Sequence, residues 1–149
     1  MNEEIEEILH RENLKLASIS KRSTAFFIDD MLLSILLVIA MWDSFSNATS
    51  MEEMIMLTNH VALEYMAIKI FYQAFFTMKY GASVGKLLMK IRVIELKTLD
   101  NPNVLSSLNR AIFRVISEVF FYLGFVWGMM SPTKQTLHDK TARTIVVDA

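Results

Sequence analysis

Eighteen consecutive residues, Ala25–Trp42 (AFFIDDMLLSILLVIAMW), carry only two charges, Asp29 and Asp30. A helix of that length covers about 27 Å, most of the hydrocarbon core of a bilayer. A second segment, Val61–Met78 (VALEYMAIKIFYQAFFTM), is as long and carries Glu64 and Lys69. Within it Tyr65, Lys69, Gln73 and Thr77 recur every four residues, a polar stripe on an apolar cylinder, which selects helix over strand. The stripe reads as an interhelical packing seam rather than a pore lining. The expected fold class is an all-α membrane protein with transmembrane helices over 25–42 and 61–78.

Composition narrows the chemistry. Four glycines and two prolines leave room for long helices, and eleven methionines read as flexible apolar filler rather than metal ligands. Without cysteine there is no disulfide, thiolate nucleophile or zinc-thiolate site. A net charge of −1 gives no argument for nucleic acid. No metal site, cofactor or enzymatic activity is expected. The opening MNEEIEEILHRENLK lacks the apolar run of a signal peptide. It reads as an amphipathic cytoplasmic helix within residues 1–20, with Ile5, Ile8, Leu9 and Leu16 on one side and Glu7–Arg11 spaced for an ion pair.

Orientation follows from the loops. Asp43–His60 has no Lys or Arg, whereas Lys79–Arg110 holds Lys79, Lys86, Lys90, Arg92, Lys97 and Arg110. By the positive-inside rule the N-terminus and the basic loop are cytoplasmic, and the acidic loop lies outside. A third apolar stretch, Ala111–Ser131, sits in a helical region over about 105–131. One crossing there would place the tail outside, yet the tail carries Lys134, Lys140 and Arg143. The tail also ends in a strand-like run, 143–148, whose partner is KIRVIEL at 90–96. Paired strands must share one side of the membrane. The preferred reading is a re-entrant or interfacial helical hairpin broken near Gly124, with a third crossing as the alternative. The strands then form a small cytoplasmic β-hairpin.

Arg22 and Asp29 lie two turns apart on one helix face, and Asp29 is expected to face the Arg22 side. Burial and mutual repulsion favour the protonated form of a carboxyl, and a group poised between its two states suits proton-coupled cation binding. The competing reading is a structural ion-pair cluster. Arg114 and Glu118 are spaced i, i+4, with Arg110 a turn earlier. They either neutralise one another locally, or an arginine reaches Asp29 or Asp30. Lys69 is expected to lean outward toward Glu64 or solvent, leaving Gln73 as the nearer neighbour of the aspartates. GASVGK is not a phosphate-binding loop: its glycines are too close, Leu87 replaces Ser or Thr, and no strand precedes it. Lys86, Lys90 and Arg92 are expected at lipid headgroups. His138-Asp139-Lys140 reads as a fold-stabilising contact beneath the strands.

Three blocks resemble one family. Arg22 before the first span and Asp29-Asp30 within it resemble the arginine and two aspartates that name the RDD family. GASVGKLLMKIRVIE at Gly81–Glu95 is similar to its G-x-S-x-G-K-x-x-x-x-h-R-V stretch. KQTLHDKTARTIVV at Lys134–Val147 is similar to its Q-T-L-H-D-K-x-A-x-T-x-V-V tail. The blocks follow the family's order and cover most of Lys21–Val147, though KTLDN stands where members often have an acidic residue and a glycine in a tight turn. The resemblance implies a multi-pass protein of the bacterial inner membrane, with monovalent cation/proton antiport as the activity proposed for such proteins. On that reading Asp29 and Asp30 form the exchange site, Arg22 is its electrostatic gate, and Gln73, Arg114 and Glu118 are further ion- or proton-binding candidates. So few spans imply a homo-oligomer or a subunit of a larger complex. The alternative is a non-transporting accessory protein that binds a membrane partner.

Overall fold

The computed structural model describes residues 2–120 and 122–149. Met1 and Phe121, which fall in the expected N-terminal helix and third apolar stretch, lie outside the described residues. Among the described residues, eight helices and two strands follow in chain order: α1 Asn2–Arg11, α2 Ile19–Ala40, α3 Trp42–Ser46, α4 Met51–Tyr80, α5 Val84–Leu88, β1 Ile91–Glu95, α6 Val104–Val119, α7 Leu123–Met130, α8 Leu137–Thr141 and β2 Thr144–Asp148.

Helix α2 begins where Ser18 accepts a hydrogen bond from the Lys21 amide, satisfying one orphan donor of the first turn. It is long and apolar enough to cross a membrane, and little of its surface is covered by the rest of the chain. Phe27, Ile35, Leu36, Ile39 and Trp42 all point outward. A water-soluble protein rarely exposes so continuous an apolar face, so hydrocarbon is its natural surrounding.

Helix α4 is longer than the expected second span. Residues 51–60, read as part of an acidic loop, are its first turns. The cause is local: Ser50 Oγ accepts from the Glu53 amide at 3.1 Å, and the Glu53 carboxylate reaches back to the Thr49 amide at 2.8 Å. The S-x-x-E signature at Ser50–Glu53 marks that start. The polar stripe of α4 faces inward as a seam: Lys69, Gln73 and Thr77 are buried, and Tyr65 and Ser34 of α2 share a 2.9 Å hydrogen bond.

The third apolar stretch forms two helices, α6 and α7, bent by 105° where they meet. Tyr122, whose φ of 59° is left-handed, stands at the start of α7 two residues before Gly124, so the bend falls near that glycine as expected. Gly124 itself lies in the first turn of α7, facing α6 so closely that a Cβ there would stand 2.2 Å from Ser117 Oγ. Phe26 of α2 meets the rings of Tyr122 and Phe125 at 5.8 and 5.1 Å, fastening α7 to the first helix.

The strands pair antiparallel, with Val93 opposite Val146 and Ile94 opposite Ile145. They are no hairpin in sequence, because residues 96–143, with α6, α7 and α8, lie between them. Both faces of the pair are covered. Ile91, Val93 and Val146 cluster with Ala17 and Ala25, while Ile94, Ile145 and Val147 cluster with Ile5 and, at its edge, Leu9. Burial on both sides explains why these strands read as nearly unbroken apolar runs. Helix α1 therefore lies on the strand pair through Ile5 and Leu9. The expected Glu7–Arg11 ion pair is replaced by an exposed contact of Arg11 with Glu12 at 3.0 Å.

Candidate functional site

Charged side chains from α2, α4, α6 and α8 meet in three linked groups. The first surrounds Asp29. Its carboxylate accepts from Tyr72 Oη at 2.8 Å, Gln73 Nε2 at 3.3 Å, Ser83 Oγ at 2.5 Å and the Gly85 amide at 2.8 Å. Four donors fill a carboxylate's acceptor sites. Asp29 is 1% exposed and clamps the GASVGK turn against α2. Gly85 permits this approach: a Cβ there would stand 2.1 Å from the Ala25 carbonyl oxygen and 3.0 Å from Asp29 Cγ. The turn thus offers an amide to an anion, and the anion is a side chain of the same protein.

The second group closes the chain on itself. Arg22 donates to the Asp139 carboxylate and to the Lys134 carbonyl oxygen. Arg110 Nη1 stands 2.5 Å from Asp139 Oδ1 and donates to Thr144 Oγ1 at 2.7 Å. Asp139 also caps α8, accepting from the Thr136 amide and hydroxyl at 3.0 and 2.8 Å. Burial alone would raise the Asp139 carboxyl, but Arg110 and Arg22 outweigh it and hold the group well below the usual carboxylate range. His138 is buried beside it, and burial pushes its imidazole well below the ordinary value. Arg22 was expected on the same face of its helix as Asp29, and it is; its guanidinium goes to the tail. The contact expected of His138-Asp139-Lys140 beneath the strands is here an ion cluster centred on Asp139.

The third group centres on Lys69. Its ammonium is held between Asp30, at 2.7 Å, and Glu118, with Arg114 Nε 3.5 Å from the other Glu118 oxygen. Lys69 was expected to turn toward Glu64 or solvent. It turns inward because Asp30 on α2 and Glu118 on α6 flank it, while Glu64 is exposed beside His60. The guanidinium of Arg114 lies over the Phe26 ring at 4.6 Å. Of the two readings of the i, i+4 spacing, the local one holds: Arg114 approaches Glu118, whereas Arg110 goes to Asp139 and no arginine pairs with Asp29 or Asp30 among the described residues. Beside Lys69 a cleft of about 300 Å³ opens between α4 and α6, lined by Tyr65, Met66, Lys69, Val115 and Glu118.

Of the three basic residues expected at headgroups, Lys90 and Arg92 are exposed. Lys86 is not: it is 7% exposed, drawn inward because the clamp on Gly85 seats its neighbour against α2. Among the described residues no cluster of His, Asp or Glu is arranged to hold a metal ion.

The fold and these three groups define a mostly helical protein with one evident membrane helix and a small antiparallel strand pair, its motif residues tied to one another. The family model of the RDD family matches residues 16–143, and the chain belongs to that family. It is a membrane protein on that ground and on the character of α2. A protein of Rickettsia prowazekii (strain Madrid E), described as uncharacterized, is 28% identical over 67 residues, 45% of this chain and 36% of that protein. The chain thus aligns with little more than a third of that relative. No solved structure matches it.

Proposed function

We propose that the protein is a multi-pass component of the bacterial inner membrane that exchanges a monovalent cation for a proton at Lys69, Asp30 and Glu118. Both α2 and α4 span the bilayer in this reading, the N-terminus is cytoplasmic, and α6 and α7 fold back to the same side. The carrying observation is one ammonium shared by two carboxylates from separate helices, beside an open cleft. Asp30, Lys69, Glu118 and Arg114 sum to zero formal charge. A monovalent cation that takes the place of the ammonium, with Lys69 leaving as a neutral amine, releases one proton and keeps that sum unchanged. Asp29 is a poorer exchange site than its sequence suggests, since its acceptors are already filled.

Purified protein in liposomes should show proton release driven by Na⁺ or K⁺ across the membrane. Glu118→Gln should lower that flux at least about tenfold, the effect of losing roughly 1.4 kcal/mol of site stabilisation. Wild-type protein that stays inert in both orientations would overturn the proposal. That outcome favours a second reading, in which the apolar lining of the cleft (Ala62, Met66, Val115, Val119) receives a helix of a partner or of a second copy. A stoichiometric membrane partner should then accompany the protein in mild detergent.

A further inference from the structure

Lys86 has no use in the exchange described above, and its surroundings are unusual. Its Nζ is buried with no hydrogen-bond partner among the described residues. The carboxylates around it are occupied. Asp29 is filled by Tyr72, Gln73, Ser83 and Gly85, and Asp139 is held by Arg22 and Thr136 at one oxygen and by the Arg110 charge at the other. The charged groups that face it are Asp29 on α2, Arg110 and Arg114 on α6 and Asp139 on α8, and the cations outweigh the anions in their effect on it. Helix α4 contributes Tyr72, whose hydroxyl accepts from the Val84 amide in the same short helix at 3.1 Å. Strand β1 contributes nothing that could neutralise it: Arg92 is exposed, and Glu95 is bound by Asn103.

The charges of the polar core make the same point. By formal count five cations, Arg22, Lys69, Lys86, Arg110 and Arg114, stand against four carboxylates, Asp29, Asp30, Glu118 and Asp139, and Lys86 is the one cation of the five in no ion pair among the described residues. A bare ammonium deprived of water and of an acceptor is strongly disfavoured, and the ordinary escape is to lose the proton.

We propose that Lys86 is a buried proton-binding site, a neutral amine in the resting protein that takes up one proton on acidification and then destabilises the core. The proposal goes beyond the exchange reading and does not rest on it. Burial, followed by the charges of Arg110 and Arg114, lowers the affinity of Lys86 for its proton well below the ordinary lysine value of 10.5, against the pull of Asp29 and Asp139. For a base shifted downward, the unfolded chain holds the proton over a range where the folded protein does not. Stability therefore rises with pH between the folded titration point and about 10.5, by a factor of ten in the folded-to-unfolded ratio per pH unit.

Two measurements on the full chain in detergent test this. In ¹⁵N spectra of lysine-labelled protein at pH 7.5, one side-chain nitrogen should carry the signature of a free amine, and Lys86→Met should remove it. Spectra in which every lysine is an ammonium would overturn the proposal without any variant having to fold. Unfolding equilibria from pH 7.5 to 9 provide the second reading. The wild type should gain on Lys86→Met about tenfold per pH unit; a ratio that stays constant across that range would equally overturn it.

Discussion

Asp139→Ala is expected to be the most damaging single substitution in the tail. The side chain is fully buried, and its loss leaves the Arg22 and Arg110 guanidiniums without their shared counter-charge. Removing one partner from a buried ion cluster costs about 3–5 kcal/mol, chiefly the cost of the stranded charges. The cap of α8 disappears as well, contributing about 1 kcal/mol more. Equilibrium unfolding in mixed micelles measures the loss. Adding Arg22→Leu to Asp139→Ala should recover part of it, because the double variant no longer buries that charge unpaired. If the two losses simply add, the proposed pairing of Arg22 with Asp139 is wrong.

Gly85→Ala should be nearly as severe despite adding one methyl group. The new Cβ meets a backbone oxygen of α2 at 2.1 Å, and a helix backbone cannot yield as a side-chain tip can. Either α5 leaves α2, breaking the Gly85 amide bond to Asp29, or α2 is displaced. Overpacking together with a carboxylate stripped of donors amounts to about 3 kcal/mol. Leu87→Ala, on the exposed face of the same short helix, should change stability by less than about 0.5 kcal/mol. Equal effects from the two substitutions would show that α5 is not clamped in this way.

Periodicity and charge carried the sequence reading a long way. The apolar length of α2 and the inward polar stripe of α4 are local patterns, and the two strands could be matched because each is a short apolar run and the charge rule puts both on one side. Gln73 as the neighbour of an aspartate also followed, because helical depth can be counted. What spacing could not give were contacts made between helices. Lys69 was assigned outward from its preferred rotamer direction, yet Asp30 and Glu118 on other helices turn it inward. Arg22 and Asp139 are 117 residues apart in sequence and meet only in the folded protein. Lys86 was placed among headgroups with Lys90 and Arg92 as part of one basic group beside the membrane; the carboxylate that fixes its neighbour Gly85 lies in a different helix. Two signals were present and missed: S-x-x-E at Ser50–Glu53 for the early start of α4, and T-x-x-D at Thr136–Asp139 for the cap that places Asp139.

The Asp29 and Asp139 groups bring the N-terminal block, the GASVGK turn and the tail together, which in the proposed topology puts all three on one side of the membrane. The absence of cysteine allows this to be tested with single introduced thiols in right-side-out vesicles and a membrane-impermeant maleimide. Ser46→Cys, on the short helix after the first span, should label from outside, whereas Ala149→Cys should label only once the vesicles are opened. Labelling of Ala149→Cys in sealed vesicles would put the second strand across the bilayer from the first and contradict the account.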